Sequence, residues 1–435
     1  MNSPVIKKAV DYYQFFLFPF VLTFVKYLEM LSAIRASRLV IGRRAYTTGT
    51  VSGIKTAVKP SDAPISEISV VINAGSRFDQ QPGAAHLLEK FAFRNTANRS
   101  ALRFARESEL LGGQVETFHD RDNIVLKAKF LKRNLPFYVE ALGDVLQNTL
   151  FNKYELVEDV LPLAAREAEA AAADAVTRSR EAAYEAAFRT GLGNGLYVEK
   201  HSPVSIDEIK KAASAAYTKA NIAVAGFSVV EEDFNALIGE HFGSIAEGAK
   251  LEAPETKTYA GDIRIRASGP NAVTLAFPTD TPSSALAVVA NILGGTSSIK
   301  WAAGSSLLGS VAARTGTKID TTYTPYSDAA VLAVTISGPS SSQVNEAVRF
   351  AAREIREISS TIDIDLIQKA VNRLRFHAAE SAEGSSIAAL TRNIDISVSS
   401  VDAVIKAASA ISGGNVAVGT VGEIHKLPYG SDLFY

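Results

Sequence analysis

The stretch GGQVETFHDRDNIVLKAKF, residues 112–130, indicates a β-hairpin, because apolar and polar residues alternate on both sides of a turn at residues 120–123. A similar Gly-led strand pair, RTGTKIDTTYTPYSDAAVLAVTI, occupies residues 314–336. A second pair of similar stretches follows in the same order, with ANIAVAGFSVV at 220–230 and GNVAVGTVGEI at 414–424. Two matches at a nearly constant offset of about 200 residues indicate an internal duplication.

Each half combines strands with long helices. The alternating segment SEISVVINAGSRFD, residues 66–79, predicts a strand, and GAAHLLEKFAFRNT, residues 83–96, predicts a helix of about three turns. The Ala/Glu/Arg-rich stretch from Leu156 to Phe188 predicts a long helical stretch, with Glu167 on a helix that begins near Pro162. Because strands and helices do not alternate regularly, we predict the α+β class, with two homologous α/β sandwich domains that carry helices on one sheet face.

Composition shifts predict four regions along the chain. Residues 1–46 form an N-terminal extension and mitochondrial transit peptide, since the sequence from Met30 onward is rich in Arg and free of acidic residues, and Met30 is a candidate start. The first domain spans 50–243 and the second spans 263–435. Between them, 244–262 lacks apolar periodicity and is predicted to be a linker.

The overall composition excludes several kinds of partner and cofactor. The net charge is −1, so there is no basic surplus for binding nucleic acid. The chain contains no cysteine, which excludes thiolate ligands and iron–sulfur clusters, and we expect no cofactor. Among the histidines, His119 falls in the predicted hairpin turn and is interpreted as a surface or packing residue rather than a ligand.

A degenerate metal motif lies on the helix predicted at residues 83–96. His86, Glu89 and Lys90 have the spacing of H-x-x-E-H, with lysine in place of the second histidine. Two histidines at this spacing can share Zn²⁺ with the glutamate as general base, and Glu167 is a candidate third ligand. A protonated lysine has no lone pair, and neutralising it at pH 7 costs about 4.6 kcal/mol. We therefore predict no metal and no catalytic residue, and expect both carboxylates to pair with Lys90.

These features resemble the pitrilysin-type (inverted-motif) zinc peptidases. The resemblance rests on the degenerate motif, on RNTANRSALRFARESELLGG at residues 94–113, on the distal glutamate and on the duplicated halves. In that family two histidines and a distal glutamate bind zinc, and the motif glutamate is the base. His86 and Glu167 match ligands, Glu89 matches the base, and Lys90 departs from the pattern. The resemblance implies a peptidase-like fold without peptidase activity.

Mitochondrial members of this family that lack a complete zinc site include a processing-peptidase subunit and the core subunits of respiratory complex III. The sequence resembles the core subunits more, since GGTSSIKWAAGSSLLGS, residues 294–310, is shorter than the Gly-rich loop expected of the processing subunit. The resemblance implies a structural subunit, peripherally associated with the matrix side of the inner mitochondrial membrane. Its implied partners are the other core subunit, cytochrome b, cytochrome c1 and the iron–sulfur protein. The alternatives are the processing-peptidase subunit and an active zinc endopeptidase.

Overall fold

The computed structural model describes residues 46–198, 204–296, 304, 306–384, 400–413 and 415–434, without the side chains of 381–384. The transit-peptide prediction therefore lies outside the described residues, apart from Tyr46, as does the middle of the predicted loop at 294–310. The described residues from Tyr46 onward belong to one compact unit.

A six-stranded mixed sheet forms the first half, in the order β1-β2-β6-β3-β5-β4. Strands β2 and β6 are parallel, whereas β6, β3, β5 and β4 pair antiparallel in succession. The predicted hairpin at residues 112–130 is confirmed as β4 and β5. The strands are β1 Thr47–Val51, β2 Ile54–Lys59, β3 Ile65–Ile72, β4 Gln114–His119, β5 Ile124–Leu131 and β6 Ile222–Phe227.

The second half contains a five-stranded sheet in the order β7-β11-β8-β10-β9. Its outer pair β7 and β11 is parallel and the remaining pairs are antiparallel, which is the arrangement of β2-β6-β3-β5-β4 in the first sheet. The shared strand order confirms the predicted duplication and the α+β class. The strands are β7 Gly261–Arg266, β8 Asn271–Thr279, β9 Lys318–Pro325, β10 Ala330–Gly338 and β11 Ala417–Gly422.

Helices cover the sheets, and among those described none is long and apolar enough to cross a membrane. In the first half they are α1 Ala84–Phe91, α2 Ala101–Leu110, α3 Leu135–Asn148, α4 Leu161–Ala173, α5 Ala175–Phe188, α6 Ile206–Ala216 and α7 Glu231–Phe242. In the second half they are α8 Ser284–Leu293, α9 Leu307–Thr315, α10 Ser341–Thr361, α11 Ile364–Gly384 and α12 Val401–Ser412.

The stretch from Leu156 to Phe188 is helical as predicted, and it is divided into separate elements. A π-helical turn at Leu156–Val160 leads into α4, and the chain bends at Asp174 before α5 begins. The side chain of Asp174 accepts hydrogen bonds from the N–H groups of Val176 and Thr177, so it caps a new helix. Composition alone does not reveal this break, because it does not show that α5 packs against the second sheet.

Helix α5 crosses from the first half to the second. Its buried face, which includes Ala183 and Phe188, packs against Ala276, Val331 and Ala417 of the second sheet. The opposite face of that sheet packs against the second-half helices, so the second sheet lies between two helical layers. Helix α5 therefore belongs by contact to both halves.

The sequence analysis did not predict the hairpin formed by β1 and β2. Residues Thr47–Val51 show no apolar alternation, and most of their side chains are exposed. The predicted linker at 244–262 has no helix or strand before β7, which begins at Gly261.

Candidate functional site

The start of helix α1 is fixed by its surroundings. Gly83 precedes the helix with φ of 87°, a left-handed conformation that favours glycine, and a Cβ there would lie 2.7 Å from the Val198 backbone. Asp79 accepts hydrogen bonds from the N–H groups of Gly83 and Ala85 at the N-terminal end of the helix. These contacts set the position from which the motif side chains project. The helix ends at Phe91, one turn earlier than predicted.

The structure brings together all four residues that the sequence analysis selected. The Lys90 Nζ lies 2.7 Å from Glu167 Oε1 on α4 and 3.0 Å from Glu89 Oε2 on its own helix. His86 Nε2 lies 3.1 Å from the other oxygen of Glu167. The side chains of His86 and Glu89 are fully buried, and that of Lys90 is 10% exposed. Lys90 therefore bridges two helices through their carboxylates, the pairing that we expected.

Glu89 is held as a carboxylate by three partners. Burial alone would raise its pKa, but hydrogen bonds from His119 and from the Thr117 hydroxyl, together with the charge of Lys90, lower the pKa to about 2. A carboxylate with so low a pKa and with both oxygens engaged is a weak base. It is therefore unsuited to taking a proton from water.

Lys90 remains an ammonium ion in this environment. Burial opposes its charge, but the adjacent carboxylates of Glu167 and Glu89 outweigh that effect and raise the pKa of Lys90 above its ordinary value. A protonated amine donates hydrogen bonds and has no lone pair for a metal. The residue thus supplies positive charge but no ligand atom.

The nitrogen of His86 that faces Glu167 is protonated and cannot bind a metal. Its Nδ1 accepts a hydrogen bond from the backbone N–H of Val198 at 3.1 Å, so the neutral ring carries its proton on Nε2. That proton is donated to Glu167, and Nε2 has no lone pair left to offer. Burial and the nearby charge of His119 lower the pKa of His86, which favours this neutral form.

His119 belongs to the site, although the sequence analysis did not select it. The residue ends strand β4, and its ring stacks on His86 with 4.9 Å between centroids. Its Nε2 lies 2.7 Å from the Leu196 carbonyl and its Nδ1 lies 3.3 Å from Glu89. Burial opposes protonation, but these acceptors raise the pKa of His119. Of the two roles predicted for His119, surface or packing, the structure shows packing against the motif, and the residue lies at the end of β4 and not in the hairpin turn.

Strand alternation is the signal that could have found these residues. Thr117 and His119 are two positions apart on β4, so their side chains point to the same face of the sheet. The motif helix packs on that face. Tyr197 also contacts both rings, edge-on to His86 at 5.5 Å and to His119 at 6.2 Å. It lies far along the sequence, and no local pattern marks it.

These residues do not fit a resident zinc ion. Ligand atoms of His86, Glu89 and Glu167 lie within 4.8 Å of one another, as a metal site requires. The Lys90 ammonium, however, already contacts both carboxylates at hydrogen-bond distance. A dication placed there would face a buried cation and a histidine nitrogen that carries a proton. The group can neutralise charge and link helices, but it cannot activate water.

Comparison with known proteins supplies the family. A family model described as Insulinase (Peptidase family M16) matches residues 55–200. The chain is 36% identical to cytochrome b-c1 complex subunit 2 of Yarrowia lipolytica over 91% of this chain and 99% of that protein. It is 34% identical to the Schizosaccharomyces pombe protein of the same name, over 89% and 95% of the two lengths.

The alpha subunit of the mitochondrial processing peptidase of Solanum tuberosum is more distant. It is 28% identical over 51% of this chain and 44% of its own length. The similarity to the fungal proteins extends instead through both duplicated halves. The chain therefore belongs to the family of the cytochrome b-c1 complex subunit 2 proteins, a branch of the M16 peptidase family.

Proposed function

We propose that this chain is a non-catalytic core subunit of mitochondrial respiratory complex III, the ubiquinol–cytochrome c reductase, with a structural and assembly role. The observation that carries the proposal is the similarity to the Yarrowia lipolytica subunit, which covers 99% of that protein. The site supports it, because Lys90 occupies the position of a ligand and Glu89 is held as a weak base. The chain is not an active peptidase.

We further propose that the chain lies on the matrix side of the inner membrane and contacts the other core subunit. Cytochrome b, cytochrome c1 and the iron–sulfur protein are the proposed remaining partners. Family membership supports this placement, and the sequence contains no cysteine to ligate an iron–sulfur cluster. Electron transfer and proton translocation would then belong to the other subunits.

Native gel electrophoresis of mitochondria solubilised in mild detergent tests the assembly role. The chain should co-migrate with b-type and c-type haem absorbance in one large band. Deleting the chain should prevent the cytochromes from assembling into that band, while presequence cleavage of imported proteins continues. Normal respiration in the deletion strain would contradict the proposal.

The alternative is a processing-peptidase subunit that presents presequences to a catalytic partner. The similarity to the Solanum tuberosum alpha subunit favours it over any unrelated function. In that case the chain would migrate as a small soluble heterodimer without haem and would bind Arg-rich presequence peptides. The same gel therefore separates the two functions.

Zinc content tests the inference that the site holds no metal. The purified wild-type chain should contain far less than one zinc per chain. Lys90→His should bind more zinc than the wild-type chain but less than one per chain, because it removes the ammonium and supplies an imidazole beside Glu167, while the Val198 N–H still keeps the proton of His86 on Nε2. Lys90→Gln is the matched control, since it removes the charge without adding a good ligand. A stoichiometric zinc in the wild-type chain would restore the endopeptidase alternative.

A further inference from the structure

Asn194 and Gly195 form the single Asn-Gly pair of the sequence. In this dipeptide the asparagine side chain is prone to deamidation, because glycine has no side chain to obstruct its own backbone nitrogen. The pair lies in the segment that follows α5, where Gly195 is exposed and Asn194 is half-buried. The peptide bond that would react is therefore accessible to water.

The fold of the described residues gives no reason for a glycine at position 195. Its φ lies outside the left-handed region, and an added Cβ would meet only the Tyr197 carbonyl oxygen, at 3.9 Å. Two nearby glycines differ from it. Gly191 has φ of 65°, and a Cβ on Gly193 would lie 3.1 Å from the backbone at the end of α5. Glycine is therefore structural at positions 191 and 193 but not at 195.

Two hydrogen bonds hold Asn194 in an unreactive conformation. Its side-chain amide donates to the Ser76 carbonyl oxygen at 3.0 Å. The buried Arg121 guanidinium donates to the Leu192 carbonyl oxygen at 2.8 Å and fixes the preceding turn. With ψ of 140°, Asn194 keeps its Cγ and the Gly195 nitrogen well apart about the Cα–C bond. Ring closure between these two atoms requires them to be nearly eclipsed, so the segment must open first.

We propose that Asn194 is a site of spontaneous deamidation, which the closed segment 192–198 slows and local opening of that segment permits. The Gly195 nitrogen loses its proton and attacks Asn194 Cγ, so that a C–N bond forms while the Cγ–Nδ2 bond breaks and ammonia leaves. Water then opens the cyclic imide at either carbonyl carbon and gives aspartate or isoaspartate. The reaction consumes only water.

Deamidation would weaken the contacts that the same segment makes with the degenerate motif. The Leu196 carbonyl oxygen accepts a hydrogen bond from His119, and the Val198 N–H donates to His86. An aspartate at position 194 has no donor for the Ser76 carbonyl oxygen and turns a carboxylate toward it. Isoaspartate lengthens the backbone by one carbon. Either product displaces the residues that follow, so both histidine contacts become looser.

Mass spectrometry of the purified full chain tests the reactivity of Asn194. Peptides that contain residue 194 gain the mass difference between water and ammonia, and an isoaspartate methyltransferase labels the isoaspartate product. In the chain unfolded by urea, Asn194 should convert before every other asparagine. Gly195→Ala should slow this conversion about tenfold or more, because the added Cβ obstructs the attacking nitrogen. Folding should slow conversion of the wild-type chain at least about tenfold, since the reaction then needs local opening.

Arg121→Lys tests whether the closed segment controls the reaction. The variant keeps a charge for Glu181 but loses the guanidinium donor to Leu192, so the folded chain should convert about tenfold faster. Arg103→Lys is the matched control, because Arg103 is 64% exposed and pairs within its own helix. It should leave the rate unchanged within about twofold. If Arg121→Lys does not fold, the wild-type chain in urea below its unfolding transition replaces it and should also convert faster.

Asn194→Asp reproduces one product and tests the effect on the motif. Hydrogen exchange at the Leu196 and Val198 amides should become about tenfold faster than in the wild-type chain, because their segment opens more often. Asn194→Ala is the control, since it loses the same donor without adding a charge. It should speed exchange by no more than about threefold.

Three outcomes would overturn the proposal. One is that another asparagine of the unfolded chain converts first. Another is that the folded chain converts as fast as the unfolded chain, or no faster when Arg121→Lys or dilute urea loosens it. The third is that Asn194→Asp leaves the exchange of both amides unchanged. These measurements concern the covalent state of one loop, so they are independent of the gel and zinc tests of the proposed function.

Discussion

At the residue scale, the positive charge that pairs with two carboxylates comes from one lysine instead of a metal dication. The Lys90 ammonium reaches Glu89 and Glu167 from α1 and α4, two helices that a metal would otherwise join. His119 adds positive character on the other side of Glu89. These positive groups compensate the charge of the buried Glu89 carboxylate without a metal, which is why the fold tolerates it.

Replacing Lys90 with methionine should destabilise the chain. Lys90→Met leaves Glu89 buried with fewer counter-charges, and we expect the free energy of unfolding to fall by about 2–3 kcal/mol. Urea denaturation followed by circular dichroism measures the change. Lys426→Met is the control, since its ion pair with Glu423 is exposed to solvent and should contribute little to stability. Equal losses in both variants would show that the buried lysine has no special role.

Stability should fall steeply in acid because of Glu89. Its pKa is lowered from 4.5 to about 2, so its contribution is complete above pH 4.5 and disappears as the pH falls to about 2. The contribution is about 3 kcal/mol. Glu89→Gln should flatten this part of the stability curve, whereas Glu116→Gln on the exposed surface of β4 should not. The raised pKa of His119 acts at higher pH, where deprotonation removes its contribution.

At the element scale, helix α5 packs closely against the second sheet. It begins after Asp174, and its backbone lies so close to β11 that only glycine fits at position 419. A Cβ on Gly419 would lie 2.0 Å from the Ser179 carbonyl oxygen and 2.6 Å from the Ala183 nitrogen. Backbone atoms of a helix cannot yield to such a contact, so the whole helix would have to move.

Gly419→Ala should therefore cost about 2–3 kcal/mol of unfolding free energy, because α5 must separate from the sheet. Gly239→Ala is the matched control: it lies within α7, and its added Cβ would have no neighbour closer than 3.8 Å. Alanine is favoured in a helix, so the control should be neutral or stabilising by up to about 1 kcal/mol. Thermal denaturation distinguishes them, and a tolerated Gly419→Ala would mean that α5 packs more loosely than described.

At the scale of the whole molecule, a buried arginine joins the halves. Arg77, from the loop after β3, donates to Asp122 of the first half at 3.0 Å and to Asp328 of the second half at 2.9 Å. It also donates to Thr256 in the predicted linker and to Ser327. Its side chain is fully buried, so its charge depends on these partners.

Arg77→Met should loosen the two halves from each other. It leaves carboxylates unpaired at the junction, and we expect a loss of about 3 kcal/mol together with faster proteolysis within residues 244–260. Limited proteolysis with mass spectrometry measures the second effect. Arg103→Met provides the comparison, because that side chain is 64% exposed and pairs within its own helix. A protease rate equal to that of wild type would contradict the role of Arg77.

Several features could be predicted from sequence because they depend on local pattern. The hairpin of β4 and β5, the duplication, and the positions of Glu89 and Lys90 on one helix follow from periodicity and spacing. The break at Asp174 could not, since it depends on α5 meeting the other sheet. His119 was assigned to a turn, and although strand alternation places its side chain on the same face as that of Thr117, only folding brings that face beside α1.

The sequence by itself determined the class of fold, the repeat and the substitution of a ligand by lysine, since each is encoded in consecutive residues. Only the tertiary structure decided the state of the site. The tautomer of His86 is set by the Val198 backbone, and the charge of Glu89 is set by Thr117 and His119. These hydrogen bonds act only over a few ångströms. The protonation of the site therefore depends on residues that are distant in sequence and become neighbours on folding.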